Sequence, residues 1–189
     1  MRMIGCWRAA AAASVFALAA LTSAPATAQQ TAPPIVMIVD VQGVVRNSKA
    51  AKSVQGQIQT HRQGFTKEIS DQENQLRAAE QELQRQRTIL AGDAFAQKQR
   101  EFQERVATVQ RNAQARRRQL DEAFNEAMEQ VQRALVTIVS KLAEERGANL
   151  VLPKTLVVLV DKRFDASEEA LKRLDQTLTQ VSVKMPAKR

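Results

Sequence analysis

Between Lys49 and Arg146 the chain contains no proline and only three glycines, Gly56, Gly64 and Gly92. A stretch that long without a helix breaker, with apolar residues recurring at helical spacing, has few ways to fold other than as long helix. Gly92-Asp93 is the best break inside it, because glycine suits a C′ position and aspartate an N-cap. Splitting there predicts helices over about 48–91 and 94–146, each roughly 65–80 Å long at the usual rise per residue. So short a connection makes them antiparallel neighbours, a hairpin with its tip at 91–93.

The expected seam of this hairpin is uneven. On the first helix Ile69, Leu76, Leu83 and Leu90 recur every seventh residue, but the alternate positions hold Gln72, Ala79 and Gln86. On the second, Phe95, Phe102 and Val109 form a similarly sparse line. One large apolar side chain per heptad per helix contributes ~1.5–3 kcal/mol, where a good coiled coil buries two. The pair is expected to hold together and to flex. Towards its base the pattern thickens: Leu120, Phe124, Met128, Val131, Leu135, Ile138, Val139 and Leu142 make a broad apolar face, with Val54 and Ile58 opposite. That breadth implies packing against more than one surface.

The flanks read differently. Residues 35–39 (IVMIV) are a strand candidate, Asp40 caps a short helical turn through Val45, and Asn47-Ser48 offers a second N-cap. After Gly147, residues 150–152 and 156–160 read as two strands around a turn at 153–155, and 161–164 as a loop. Asp165-Ala166-Ser167-Glu168 resembles a capping box opening a final helix with Leu171, Leu174 and Leu178 on one face. Segments 35–39 and 156–160 are continuously apolar, the pattern of strands covered on both faces. One chain supplies little to cover them, so several copies sharing one body are expected. Val36, Ile38, Leu150, Leu152, Val158 and Val160 are the candidate oligomer-body residues. A monomeric sheet roofed by the base of the helices is the alternative. The fold class is mainly α with a small β body (α+β).

The N-terminus reads as an export signal. Arg2 and Arg8 precede an apolar run at 9–21, and Ala26-Thr27-Ala28 is an A-x-A site that places cleavage between Ala28 and Gln29. The run is shorter than the ~20 residues a membrane span needs. Cleavage removes Cys6 and Trp7, and with Arg2 and Arg8 gone the 28 basic residues fall to 26 against 20 acidic. An exported chain without cysteine gains nothing from disulfides, and export takes a basic protein away from nucleic acid, which is excluded as a partner. The expected organisation is a signal peptide (1–28), a flexible lead (29–34), body (35–47), helical hairpin (48–146), body (147–182) and basic tail (183–189).

Catalytic chemistry has no foothold. His61 is the lone histidine and has no cysteine beside it, whereas a metal needs several convergent ligands. No carboxylate pair, phosphate-cradling glycine loop or nucleophile motif stands out. The expectation is a protein that is not an enzyme and takes no cofactor or metal. Arg111, Arg116, Arg117 and Arg118 form the densest basic cluster, and residues 62–118 carry 12 basic against 8 acidic side chains. A solvated helix face is one reading, and contact with anionic clients or lipid head groups the other. Phe65, Phe95 and Phe102 are the aromatics of the hairpin, open to seam packing or to client contact.

With the order strand, long helical hairpin, two strands and helix in view, the chain resembles the Skp/OmpH family of periplasmic chaperones. The resemblance covers about 35–182 and is closest at 35–42 (IVMIVDVQ), 147–160 and 165–172 (DASEEALK). It implies a homotrimer with a β-barrel-like trimerisation body and three helical arms around a cavity. It further implies an ATP-independent periplasmic holdase for unfolded outer-membrane β-barrel proteins, with lipopolysaccharide or an anionic lipid surface as a further partner and the Arg116–Arg118 cluster as the candidate patch. The alternative from another class is a structural coiled-coil adaptor of the cell envelope that binds a folded partner.

Overall fold

A computed structural model describes residues 33–185. The expected signal segment, its cleavage point between Ala28 and Gln29, most of the lead and the last four residues of the tail lie outside the described residues. The elements are β1 (Val36–Val39), α1 (Val41–Asn47), α2 (Lys49–Gln86), α3 (Gly92–Glu145), β2 (Leu150–Pro153), a 3-10 turn (Lys154–Leu156) and α4 (Ser167–Thr177). The protein is mostly helical with one two-stranded sheet.

The entry into the long helices is set by side-chain caps. The Asp40 carboxylate accepts a hydrogen bond from the Gly43 N–H at 2.8 Å and starts α1. A Cβ at Gly43 would collide with that carboxylate, so glycine is what allows the cap to close. Buried Ser48 then breaks the helix with an extended backbone, donates to Val45 O at 2.8 Å and accepts from the Ala51 N–H at 3.2 Å to open α2.

α2 and α3 lie side by side and antiparallel, Phe65 meeting Arg116 and Leu83 sharing a cleft with Phe102. At 38 and 54 residues they span roughly 55 and 80 Å. Their connection differs from the expected one. α2 stops at Gln86, residues 87–90 turn, and Gly92 is the first residue of α3 rather than a C′ glycine. Ala91 takes the N-cap position without a side-chain bond, and Asp93 lies in the first turn, where its charge faces the positive end of the helix. At the other end Gly147 adopts φ 64°, and the Ala148 N–H reaches back to Ala143 O at 2.8 Å, a left-handed stop for α3.

The seam follows the predicted gradient. Ile69, Leu76, Leu83, Leu90, Phe95, Phe102 and Val109 are half-buried, while Leu120, Val131, Leu135, Ile138 and Leu142 are buried with Val54 and Ile58. Phe124, Met128 and Val139 flank this core, and small residues the seam reading passed over, Ala123, Ala127 and Ala143, complete the buried face of α3.

β1 and β2 pair in parallel, Val36 beside Leu150 and Val39 beside Pro153. On its other side β1 makes a single bridge to Asp165: the Ile38 N–H donates to Phe164 O and the Ala166 N–H to Ile38 O, both at 2.8 Å. Two expectations are corrected here. Met37, Ile38 and Val39 are buried by their own chain, so β1 needs no second copy to cover it. Residues 156–160 are not a strand: Leu156 ends the 3-10 turn and 157–160 are irregular, both edges of β1 being already occupied by β2 and the bridge to Asp165. α4 begins through Asp165, whose Oδ1 accepts from the Ser167 N–H at 2.9 Å, not through a reciprocal box with Glu168, and it ends at Thr177 with Leu178 as its C-cap. Leu174 is buried, with Leu171 and Leu178 packed beside the core.

Candidate functional site

Two surfaces carry chemistry. The first lies between α2 and α3, near the middle of both helices. There the Arg116 guanidinium sits 5.3 Å from the centre of the half-buried Phe65 ring and also donates to Gln119 Oε1 at 3.1 Å. The His61 ring is tilted by 33° to that of Phe65, ring centres 6.5 Å apart. A cation over an aromatic face is worth ~0.5–2 kcal/mol depending on its hydration. An open groove of about 700 Å³ runs past this stack. Arg62, Arg116 and Arg117 line it against Glu73 and Asp121, around Ile69 and Leu120. Its polar lining is mixed in sign.

The candidate cluster is therefore divided. Arg116 stacks across the seam, Arg117 lines the groove, and Arg118 and Arg111 are exposed, Arg111 donating to Thr108 Oγ1 at 2.9 Å. Phe102 shares a second cleft with Leu83, Lys98 and Arg105, and Phe95 is half-buried near the tip. The three phenylalanines thus keep part of each ring accessible while contributing to the seam.

The second surface is the apolar skin beside the sheet. Leu156, Val158 and Leu159 are 74, 105 and 91 % exposed, and Ile35, Leu150, Val151 and Phe164 are also exposed. Of the candidate body residues, Leu150 and Val158 stand in solvent, Val36, Leu152 and Val160 are half-buried, and Ile38 belongs to the chain's own core. Val158 and Val160 are the candidates within a segment read as a strand, and Leu156 and Leu159 of the same segment are exposed as well.

Both ends of this skin are pinned by charge. Lys154, just before it, donates to Asp165 Oδ2 at 2.8 Å, just after it. Ser167 donates to Asp165 Oδ1 through both its N–H and its hydroxyl, and the Ser167 hydroxyl accepts from the Asp40 N–H at 2.7 Å. Partial burial pushes the Asp165 carboxyl up, but the Lys154 ammonium and the Ser167 donors outweigh it and bring its pKa down to about 2. The same contact raises Lys154. Because the folded value lies below the ordinary 3.8, the Asp165 contribution is complete above pH ~4 and is lost as pH falls towards 2. Asp165→Asn is expected to lower stability at neutral pH by about 1 kcal/mol after solvent screening, and to flatten the loss of stability between pH 4 and 2. Thermal melts across pH 2–7 check this; parallel curves for the two proteins would contradict it.

A second ionic cluster ties α4 to the end of α3. Arg173 bridges Glu145 (2.7 Å) and Glu169 (2.5 Å), and Arg146 also reaches Glu169 at 2.5 Å. The Arg173 hydrogen bond lowers Glu145, and those from Arg146 and then Arg173 lower Glu169. Among the described residues no group of acidic or histidine side chains is placed to hold a metal ion, and no helix is long and apolar enough to cross a membrane.

Against known proteins, a family model described as Outer membrane protein (OmpH-like) matches residues 35–174. No curated protein matches the sequence. A solved structure described as a putative outer membrane chaperone (OmpH-like) from Caulobacter crescentus aligns with a TM-score of 0.76 at 21% identity, covering 83% of this chain and 93% of that one. At that identity the likeness speaks to the fold.

Proposed function

The chain belongs to the OmpH-like family, a family of chaperones and not of enzymes, and from that premise we propose that it is an ATP-independent periplasmic holdase for unfolded outer-membrane β-barrel proteins. In this reading α2 and α3 form an arm, three copies join through the skin at 156–160 and the neighbouring sheet edge into a barrel-like body, and the arms enclose the client. The observation that carries the reading is the exposure of Leu156, Val158 and Leu159 beside a two-stranded sheet in which β2 has β1 on one side only. Contiguous apolar surface of this kind marks an interaction site on a soluble protein.

The physical requirements of a holdase match the rest. An unfolded outer-membrane strand exposes apolar residues at every second position and aggregates in water. Arms that each bind it weakly give avidity together and still release it stepwise without a nucleotide. The sparse distal seam lets an arm bend, and part-accessible Phe65, Phe95 and Phe102 give apolar contacts without a fixed sequence register. Net positive charge over 62–118 draws acidic clients in without orienting them. Arg111, Arg117 and Arg118 serve as the exposed part of that charge, and an anionic lipid or lipopolysaccharide surface is a secondary partner for the same side chains.

The test is aggregation of a urea-unfolded porin diluted into buffer. One trimer per porin is expected to suppress most of the light scattering, with no effect of added ATP. Unchanged scattering at that ratio would remove the proposal, and crosslinking to one folded envelope protein in place of unfolded porins would favour an adaptor.

A further inference from the structure

After α4 the chain turns extended and runs back along α2, beyond the end of the family match at 174. Its side chains alternate: Val181 is buried, Ser182 exposed, Val183 half-buried, Lys184 exposed and Met185 half-buried. Val181 joins the core cluster that contains Val54 and Ile58, and Val183 and Met185 pack against that cluster. The backbone of this segment is met by one side chain. Gln57 Nε2 donates to Val181 O at 2.7 Å, and Gln57 Oε1 accepts from the Val183 N–H at 3.0 Å. Ser53 holds the same amide from below, its hydroxyl accepting from Gln57 Nε2 at 3.2 Å.

The carbonyl of one residue and the N–H of the second residue along point to the same side of an extended chain. In a parallel sheet they are the two groups that a single residue of the neighbouring strand engages. The Gln57 amide, one donor and one acceptor, takes the place of that residue. Alternate apolar side chains then enter the root of the helix pair on the other axis of the strand. This is strand addition with a side-chain amide as the sheet edge, and it reads backbone and alternation, not sequence.

We propose that the shelf on α2 centred on Gln57 is a receptor for extended chain with apolar residues at every second position, and that residues 181–185 are its tethered occupant. An unfolded outer-membrane strand has that pattern, so the tail is a built-in substitute for the client that yields to it; this identity of the incoming strand rests on the holdase reading. A tether keeps its occupant at an effective concentration in the millimolar range. A single free strand therefore competes poorly, and a client presenting many strands displaces the tail.

The experiment measures binding of a fluorescein-labelled peptide, Thr-Val-Thr-Val-Thr-Val-Thr, and of a peptide with the same composition in two blocks, by anisotropy. Three proteins are compared: the intact chain, a chain ending at Gln180, and Val183→Pro in the full chain, which deletes the N–H that Gln57 accepts and so loosens the tail from the shelf. Circular dichroism establishes that each is folded. Release of the tail is expected to tighten binding of the alternating peptide at least tenfold, to leave the block peptide unchanged, and to bring no gain for either peptide once Gln57→Leu is added. A tail that only braces the core would lower the melting temperature and bring no gain, and that result overturns the proposal. So does a gain that survives Gln57→Leu or extends to the block peptide. Porin aggregation with the intact chain judges the holdase reading separately, so the two cannot be confused.

Discussion

Replacing Val158 and Leu159 together by aspartate is expected to leave the protein a folded monomer where the proposed assembly holds three copies together. Both side chains are almost wholly in solvent in the single chain, so the substitution removes no contact that folding of one copy uses. Covering such side chains contributes ~1.5–3 kcal/mol each, and the pair therefore weakens association by roughly 10²- to 10⁴-fold per chain. Aspartate adds the cost of moving a charge into the joint. Native mass spectrometry or sedimentation at micromolar concentration reads the change, and far-UV circular dichroism checks that the helices persist. An unchanged assembly mass would mean that copies meet elsewhere. The holdase reading would then lose the surface on which it stands.

The second large effect is a contrast along the helix pair. Leu135→Ala, in the buried base of α3, is expected to cost ~2–5 kcal/mol, because the lost transfer energy adds to an unfilled cavity. Leu83→Ala, at a half-buried position near the tip, should cost about 1 kcal/mol or less, since water already reaches it and the neighbours can close over the gap. Urea midpoints of the two variants measure the difference. Amide exchange would show the same gradient in the parent protein, with protection high around 120–142 and low around 76–102. Equal costs at the two sites would contradict a rigid root carrying a loose end.

That gradient was legible from the sequence, because heptad spacing reports directly which side of a helix is covered. Leu120, Val131, Leu135 and Leu142 were placed correctly by periodicity, and Ser48 and Asp40 by their capping chemistry. The region after Gly147 was harder. The run at 156–160 reads as a strand from its apolar continuity, but continuity says nothing of pairing, and both edges of β1 are taken by β2 and Asp165. The Arg173–Glu145 and Arg146–Glu169 contacts join residues 28 and 23 positions apart, beyond any local pattern. Gln57 looked like one more polar residue on a helix. Its partner was visible as alternation in Val181, Val183 and Met185, but the surrounding lysines gave the segment the look of a loose basic end.

The parallel pairing of Val36 with Leu150 means that the chain leaves the sheet after Val39 and re-enters it at the other end of the same strand. Everything from α1 to the Gly147 stop is thus a long excursion whose two footings stand at the two ends of one short strand, roughly 10 Å apart. Its length is free to change without disturbing them, provided that both limbs change together. Seven residues added to each raise the summit by ~10 Å and preserve the facing of every seam residue. Reach, and with it the size of cargo accommodated, is a quantity that evolution or an engineer can set on this scaffold in whole turns of helix, independently of the footing on which the limbs stand.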